Sequence, residues 1–212
     1  MAGDDTPPTK DAAGLFDTVR LEAFSDGVFA IASTLLVLQF KIPPAEPSTA
    51  EAGGLAALIV TRWPSFLGYA LSFGVVGITW INHHTMFQYI RRANRTFLLI
   101  NLGFLLWVSF LPFPTALLAE HVRVPVDRET AMVLYSGTLF VMSGAFYALW
   151  RYGVRHDLGP DANEPGIRAL SRRALAGPLL YAIALALAFV SVPACLILNV
   201  ALLGFFIWPI RW

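Results

Sequence analysis

Apolar and polar positions alternate along the chain in long blocks rather than in short periods. Blocks of about 20 apolar residues suffice to cross a bilayer as a helix. The pattern predicts spans over residues 20–42, 60–90, 96–119, 129–152, 172–191 and 194–211. The first ends at Pro43-Pro44, which cannot continue a helix, and the Pro/Ala/Glu/Gly-rich linker Pro44 to Gly54 follows. The second carries no charge from Trp63 to Ile90 and is closed by Arg91, Arg92 and Arg95. Pro112 and Pro114 are expected to kink the far end of the third. The charged loop Glu120 to Glu129 then leads into the fourth. From Ala174 to Ile210 there is no charge at all, and two helices fit only if the turn at Ser191-Val192-Pro193 is tight. One span plus a re-entrant segment is the other reading of that stretch. No internal repeat of the kind found in many transporters is visible.

Composition sharpens this picture. Of 212 residues, 57% are hydrophobic and 14% charged, against about 25% charged in a soluble domain. The expected fold class is an all-α integral membrane protein with six transmembrane helices, multi-pass in the cell membrane. Residues 1–19 are polar, with Pro7, Pro8 and four aspartates, and read as a disordered cytoplasmic tail. They lack the basic start of a secretory leader, so the first span is expected to be retained within a transmembrane domain covering 20–212. The loops after the second and fourth spans hold most of the arginines, among them Arg151, Arg155, Arg168, Arg172 and Arg173. By the positive-inside rule these sides are cytoplasmic, which puts both termini inside. A net charge of +1 gives no reason to expect a nucleic-acid partner. The single cysteine, Cys195, excludes a disulfide within the chain and reads as a small buried hydrophobe.

Chemistry concentrates at the head of the first span, where Arg20, Glu22 and Asp26 stand at the entrance to an apolar run. Ionisable groups there are costly and by default face protein or water. At about 100° per residue, Phe24, Gly27, Leu35 and Leu38 share a narrow stripe with Ile31, and Thr34 lies at its margin. Asp26 and Glu22 fall on roughly the opposite side. Periodicity leaves the stripe open to three uses: packing, lipid contact or a pore. For Asp26 the geometry favours a buried structural acid, which needs a partner. Arg20, Trp80, His83 and His84 are the candidates, with Ser25 in the same network. His83 and His84 diverge by about 100° and so do not form a metal pair of the i, i+4 kind. A proton-sensing role is conceivable for them, but a hydrogen-bonded structural role is the simpler reading. No carboxylate pair, Ser-His-Asp set or phosphate-cradling Gly loop is present, so no enzymatic chemistry, cofactor or small-molecule substrate is expected.

Arg20-x-x-x-Phe24-Ser25-Asp26 at the head of an apolar helix resembles the signature of the transmembrane protein 175 family, potassium channels of lysosomes and prokaryotes. Trp80-x-x-His83-His84-x-x-Phe87 and the six-span layout are similar to that family as well. The resemblance implies a homotetramer around one pore lined by the first helix. It also implies a filter of apolar side chains, in keeping with the lack of a Thr-Val-Gly-Tyr-Gly-like sequence. By the same resemblance the main constriction falls on Ile31, with Leu35 and Leu38 as further rings and Thr34 as a hydroxyl ring. Arg20, Ser25 and Asp26 then tie helices together, and Ala30 stands where relatives carry a serine. The expected function is passive potassium conduction, with K+ as the permeating ion and no bound metal. The rival expectations are a proton-coupled carrier that uses Asp26 and His83 or His84 as a relay, and a membrane scaffold that transports nothing.

Overall fold

The computed structural model describes residues 15–40, 54–156, 158–159 and 165–207. Most of the expected tail, the linker after residue 40 and the last five residues lie outside them. Helix α1 spans Val19–Leu35 and passes into a 3-10 turn at Val37–Gln39. A short helix α2 (Gly54–Thr61) leads into α3 (Trp63–Tyr89). Then come α4 (Arg95–Phe110), α5 (Pro112–His121), α6 (Arg128–Arg155), α7 (Pro165–Ala188) and α8 (Val192–Ile207). Two two-residue strands, β1 (Phe16–Asp17) and β2 (Arg92–Ala93), pair antiparallel with Phe16 opposite Ala93 and Asp17 opposite Arg92.

Among the described residues five stretches are long and apolar enough to cross a membrane: Val19–Gln39, Trp63–Tyr89, Arg95–His121, Arg128–Arg155 and Gly166–Ala188. The protein is thus a mostly helical membrane protein. The last helix, Val192–Ile207, has 16 residues, about 24 Å at 1.5 Å per residue, and falls short of that length. The uncharged C-terminal stretch is nevertheless two helices, not one. Ser191 N–H closes the end of α7 on the Leu187 carbonyl at 2.8 Å, and its own carbonyl accepts from Cys195 N–H at 2.9 Å in the first turn of α8.

The other boundaries follow from local chemistry. The α-helical part of α1 stops at Leu35, several residues before Pro43, because the backbone tightens into the 3-10 turn. The third span breaks where expected. Pro112 has no N–H for the Val108 carbonyl, which accepts instead from Leu111 at 3.4 Å, and α5 starts with Pro112 in its first turn. Asn94 caps α4 by accepting from Phe97 N–H at 2.9 Å. Helix α7 begins at Pro165, earlier than expected from residue 172, so Arg168, Arg172 and Arg173 lie within a helix rather than in a loop. The pairing of β1 with β2 gives ordered structure to residues expected to belong to the tail.

The core forms where α6 packs between α4 and α7, and α3 lies against α5. Phe104 is fully buried and touches the rings of Phe29, His83 and Phe146, joining α1, α3, α4 and α6 at one height. A second buried point is polar: the Ser72 hydroxyl lies 2.8 Å from that of Thr115 and 3.2 Å from that of Tyr135, linking α3, α5 and α6. Hydroxyls among apolar helices must find partners within the protein, and these find one another.

Candidate functional site

Helix α1 sits at the margin of the bundle, packed mainly on α3 and α4. Its two sides differ sharply. Leu21, Ser25, Phe29, Ala32 and, just beyond the helix, Leu36 are buried, at intervals of four, four, three and four. That is the spacing of a single helix face. The other side holds Arg20, Phe24, Gly27, Ile31, Thr34 and Leu35, all exposed in the single chain, with Ile31 61% accessible. Leu38 is exposed too, though it stands on the 3-10 turn, where the 100° step no longer applies. Thr34 Oγ1 donates to the Ile31 carbonyl at 2.9 Å, so its proton is used within the helix and only its lone pairs face outward. Of the described charged groups, only Arg20, one helical turn below Phe24, stands on this face. It makes no hydrogen bond or ion pair with any described residue.

The carboxylates lie at the flank of α1, against α3. Trp80 Nε1–H donates to Asp26 Oδ1 at 2.8 Å, and His84 Nδ1 lies 2.9 Å from Glu22 Oε1. Both pairs are separated by four residues on each helix, so they form two rungs between antiparallel segments. The Trp80 and His84 rings stack with centroids 5.9 Å apart. Trp80 is therefore the partner of Asp26 from among the four candidates. Neither Arg20, His83 nor His84 bonds Asp26, and Ser25 belongs to a different network. Ser25 points one step around the helix, into the core, which moves it beyond reach of that carboxylate.

The core network runs through a residue that the sequence reading passed over. Ser25 Oγ donates to the Leu21 carbonyl at 2.8 Å and accepts from Asn101 Nδ2–H at 3.0 Å. Asn101 Oδ1 faces His83 Nε2 at 3.0 Å. With the amide nitrogen committed to Ser25, His83 must carry its proton on Nε2, and its Nδ1 is left without a hydrogen-bond partner. All three side chains are fully buried. Phe29, Phe87 and Phe104 surround the imidazole with centroids 4.8 to 5.5 Å away. His83 and His84 thus face different surroundings, one in the core and one at a half-open rung. Asn101 had a legible signal, being the only carboxamide in the third span. The Glu22–His84 rung was not foreseen: the wheel set Glu22 beside Asp26 but gave it no partner.

Two further contacts hold the ends of α1. Thr18 Oγ1 donates to the Arg91 carbonyl at 3.4 Å beside the β1–β2 pair, and Gln39 Nε2 donates to the Pro112 carbonyl at 2.6 Å. The helix is held at both ends and near its middle to the segments around α4, while its apolar face stays bare. Among the described residues no three His, Cys, Asp or Glu side chains come together as a metal site. The arrangement offers an apolar wall with its carboxylates tucked to one side and Arg20 at its end.

The family model described as endosomal/lysosomal potassium channel TMEM175 matches residues 20–112, which contain nearly all of α1 and the Asp26–Trp80, Glu22–His84 and Ser25–Asn101–His83 contacts. A potassium channel of Streptomyces collinus is 43% identical over 179 residues, 84% of this chain and 85% of that protein. A potassium channel of Chamaesiphon minutus is 40% identical over 178 residues, 83% of this chain and 86% of that protein. The crystal structure of a lysosomal potassium-selective channel TMEM175 homolog from Chamaesiphon minutus superposes with a TM-score of 0.79 at 37% identity, covering 90% of this chain and 96% of that one. Identity at this level over more than four fifths of both proteins means that the chain belongs to the TMEM175 family.

Proposed function

We propose that the protein is a potassium channel of the cell membrane, in which four copies of the chain line one pore with the exposed face of α1. The observation that carries this reading is the bare apolar stripe of Phe24, Ile31, Leu35 and Leu38 on a helix fixed on its other side. Relatives named potassium channels, at 40 to 43% identity, point to the ion. In this arrangement Ile31 forms the narrowest ring, Leu35 and Leu38 form wider ones, and Thr34 adds hydroxyl oxygens at the margin. An apolar constriction excludes ions that keep a full hydration shell and closes by dewetting. Potassium loses water more readily than sodium, so the ring favours it without fixed ligands. Conduction is passive and calls for no cofactor or catalytic group.

With α8 as the sixth span the termini lie together on the arginine-rich, cytoplasmic side. The carrier alternative is weakened by the partners of its relay: Asp26 is bonded to Trp80 and His83 to Asn101, each off the exposed face. The test is Ile31→Asn in reconstituted liposomes under a potassium–sodium gradient. Wetting the ring raises conductance and moves the reversal potential toward zero. An unchanged current and reversal potential would remove Ile31 from the pore. Saturable, pH-driven uptake without unitary currents would favour a carrier.

A further inference from the structure

The last turn of α1 is tighter than its sequence requires. No glycine or proline stands between Leu36 and Gln39, and the next prolines are Pro43 and Pro44, so an α-helix could run on through Leu38. Instead Gln39 N–H turns back to the Leu36 carbonyl at 3.4 Å and Phe40 N–H to the Val37 carbonyl at 3.2 Å, each three residues away. The hydrogen bonds of a 3-10 turn are poorer than those of an α-helix, so the tight form calls for support from outside the turn. Two side chains give it. Gln39 Nε2 donates to the Pro112 carbonyl at 2.6 Å, at the bend between α4 and α5. Phe40 lies against Phe66 and Tyr69 of α3, with ring centroids 4.8 and 5.5 Å apart. Packed rings tolerate sliding, whereas a bond to one carbonyl fixes the turn in height and direction. Gln39 is the only carboxamide in the first span.

The form of this turn decides where Leu38 stands. Three steps lead from Leu35 to Leu38. In an α-helix they amount to about 300° and about 4.5 Å of rise. In a 3-10 turn residues three apart eclipse, and the rise is about 6 Å. The tight turn therefore brings Leu38 round toward the side of Leu35 and about 1.5 Å farther along the axis. Relaxed to the α form, Leu38 would swing by about 60°, which carries the tip of a side chain about 5 Å sideways at the outer radius of a helix. Leu36, on the same turn, is fully buried, while Leu38 is 73% accessible. The turn as it stands seats one leucine in the core and presents the other.

We infer that Gln39 is a positioning residue of the channel: through its bond to the Pro112 carbonyl it holds the last turn of α1 tight and so sets Leu38 in line with Leu35. The inference rests on the reading of α1 as the pore wall. Gln39 itself touches no ion and acts through Leu38. With the two leucines in line, the stretch in which an ion lacks its full hydration shell extends over two layers rather than one. Loss of the bond loosens the outer layer, and the preference for potassium falls with it.

The test is a double-mutant cycle on the full chain in liposomes, with the potassium-to-sodium permeability ratio read from the reversal potential. Gln39→Leu cannot donate and is expected to lower the ratio about threefold, the factor that corresponds to one average side-chain hydrogen bond in a membrane. In a Leu38→Ala background, which alters the ratio by itself, Gln39→Leu changes nothing more. Gln39→Glu is nearly isosteric, so the outcome can be read even if Gln39→Leu does not fold. Its carboxylate has no donor at neutral pH and regains one on protonation. Relative to the parent at the same pH, its ratio is low at pH 7 and recovers below about pH 4, a reversal that a general loss of stability does not give. A parent-like ratio in both Gln39 variants overturns the inference, as does an equal drop with and without Leu38. A parent-like ratio in Leu38→Ala alone removes Leu38 from the pore, and the inference goes with that ring. An altered ratio in Leu38→Ala with none in the Gln39 variants leaves the pore reading standing and overturns only the role of Gln39.

Discussion

Asn101 shows how one side chain can settle a helix interface in a membrane. It bonds Ser25 of α1 and His83 of α3 at once, and all three are shut away from lipid. Asn101→Leu strands His83, at about 1–3 kcal/mol for a polar group buried without a partner, while the Ser25 hydroxyl keeps its bond to the Leu21 carbonyl. His83→Phe in the same background removes the stranded group and fills its aromatic slot, so it recovers part of the loss. A double-mutant cycle in detergent unfolding is expected to give a coupling near 1 kcal/mol, because side-chain hydrogen bonds in membranes average about 0.6 with a maximum near 1.7. Additive effects would mean that the two side chains do not share a bond. At this scale the sequence was half legible. The wheel put Asp26 and Glu22 behind the stripe, and cost alone required them to have partners. Which partner each takes depends on the vertical register of α1 against α3, and no local pattern carries that.

Among the elements, α1 is tied down at several heights. Thr18–Arg91, Ser25–Asn101 and Gln39–Pro112 hold it at three heights to residues that immediately precede, form and follow α4. Its phase is therefore set from outside. One alanine inserted between Ala30 and Ile31 turns the two halves of the helix by about 100° relative to each other. The chain must then lose either the Ser25 contact or the Gln39 contact, or else swing Ile31 off the exposed face. Such a variant is expected to unfold more readily than the parent and to conduct no selective current, measured by thermal melting and in liposomes. Parent-like stability with normal selectivity would show the three contacts to be incidental. Helix existence was readable from apolar run length and from Pro112. The 3-10 end of α1 was not, since no breaker residue marks it, whereas the early start of α7 had a signal in Pro165, a residue suited to the first position of a helix, that was passed over.

At the scale of the molecule, the apolar face of α1 means something different in lipid from what it would mean in water. Acyl chains are as apolar as leucine, so a lone subunit suffers little for exposing Ile31 or Leu38 to them. No hydrophobic force drives the copies together, and shape fit and polar contacts must do so. Arg20, exposed on the same face without a partner among the described residues of its own chain, is the natural place for such a contact to another copy. Native mass measurement of the purified protein is expected to show four chains of 23.3 kDa each, and a single-chain mass under gentle conditions would contradict the assembly. Subunits held by fit alone obey mass action in two dimensions. Diluting the protein with lipid then thins the assemblies faster than the chains. Potassium flux per chain declines as the lipid-to-protein ratio rises, and the bilayer itself sets how much of the protein is at work.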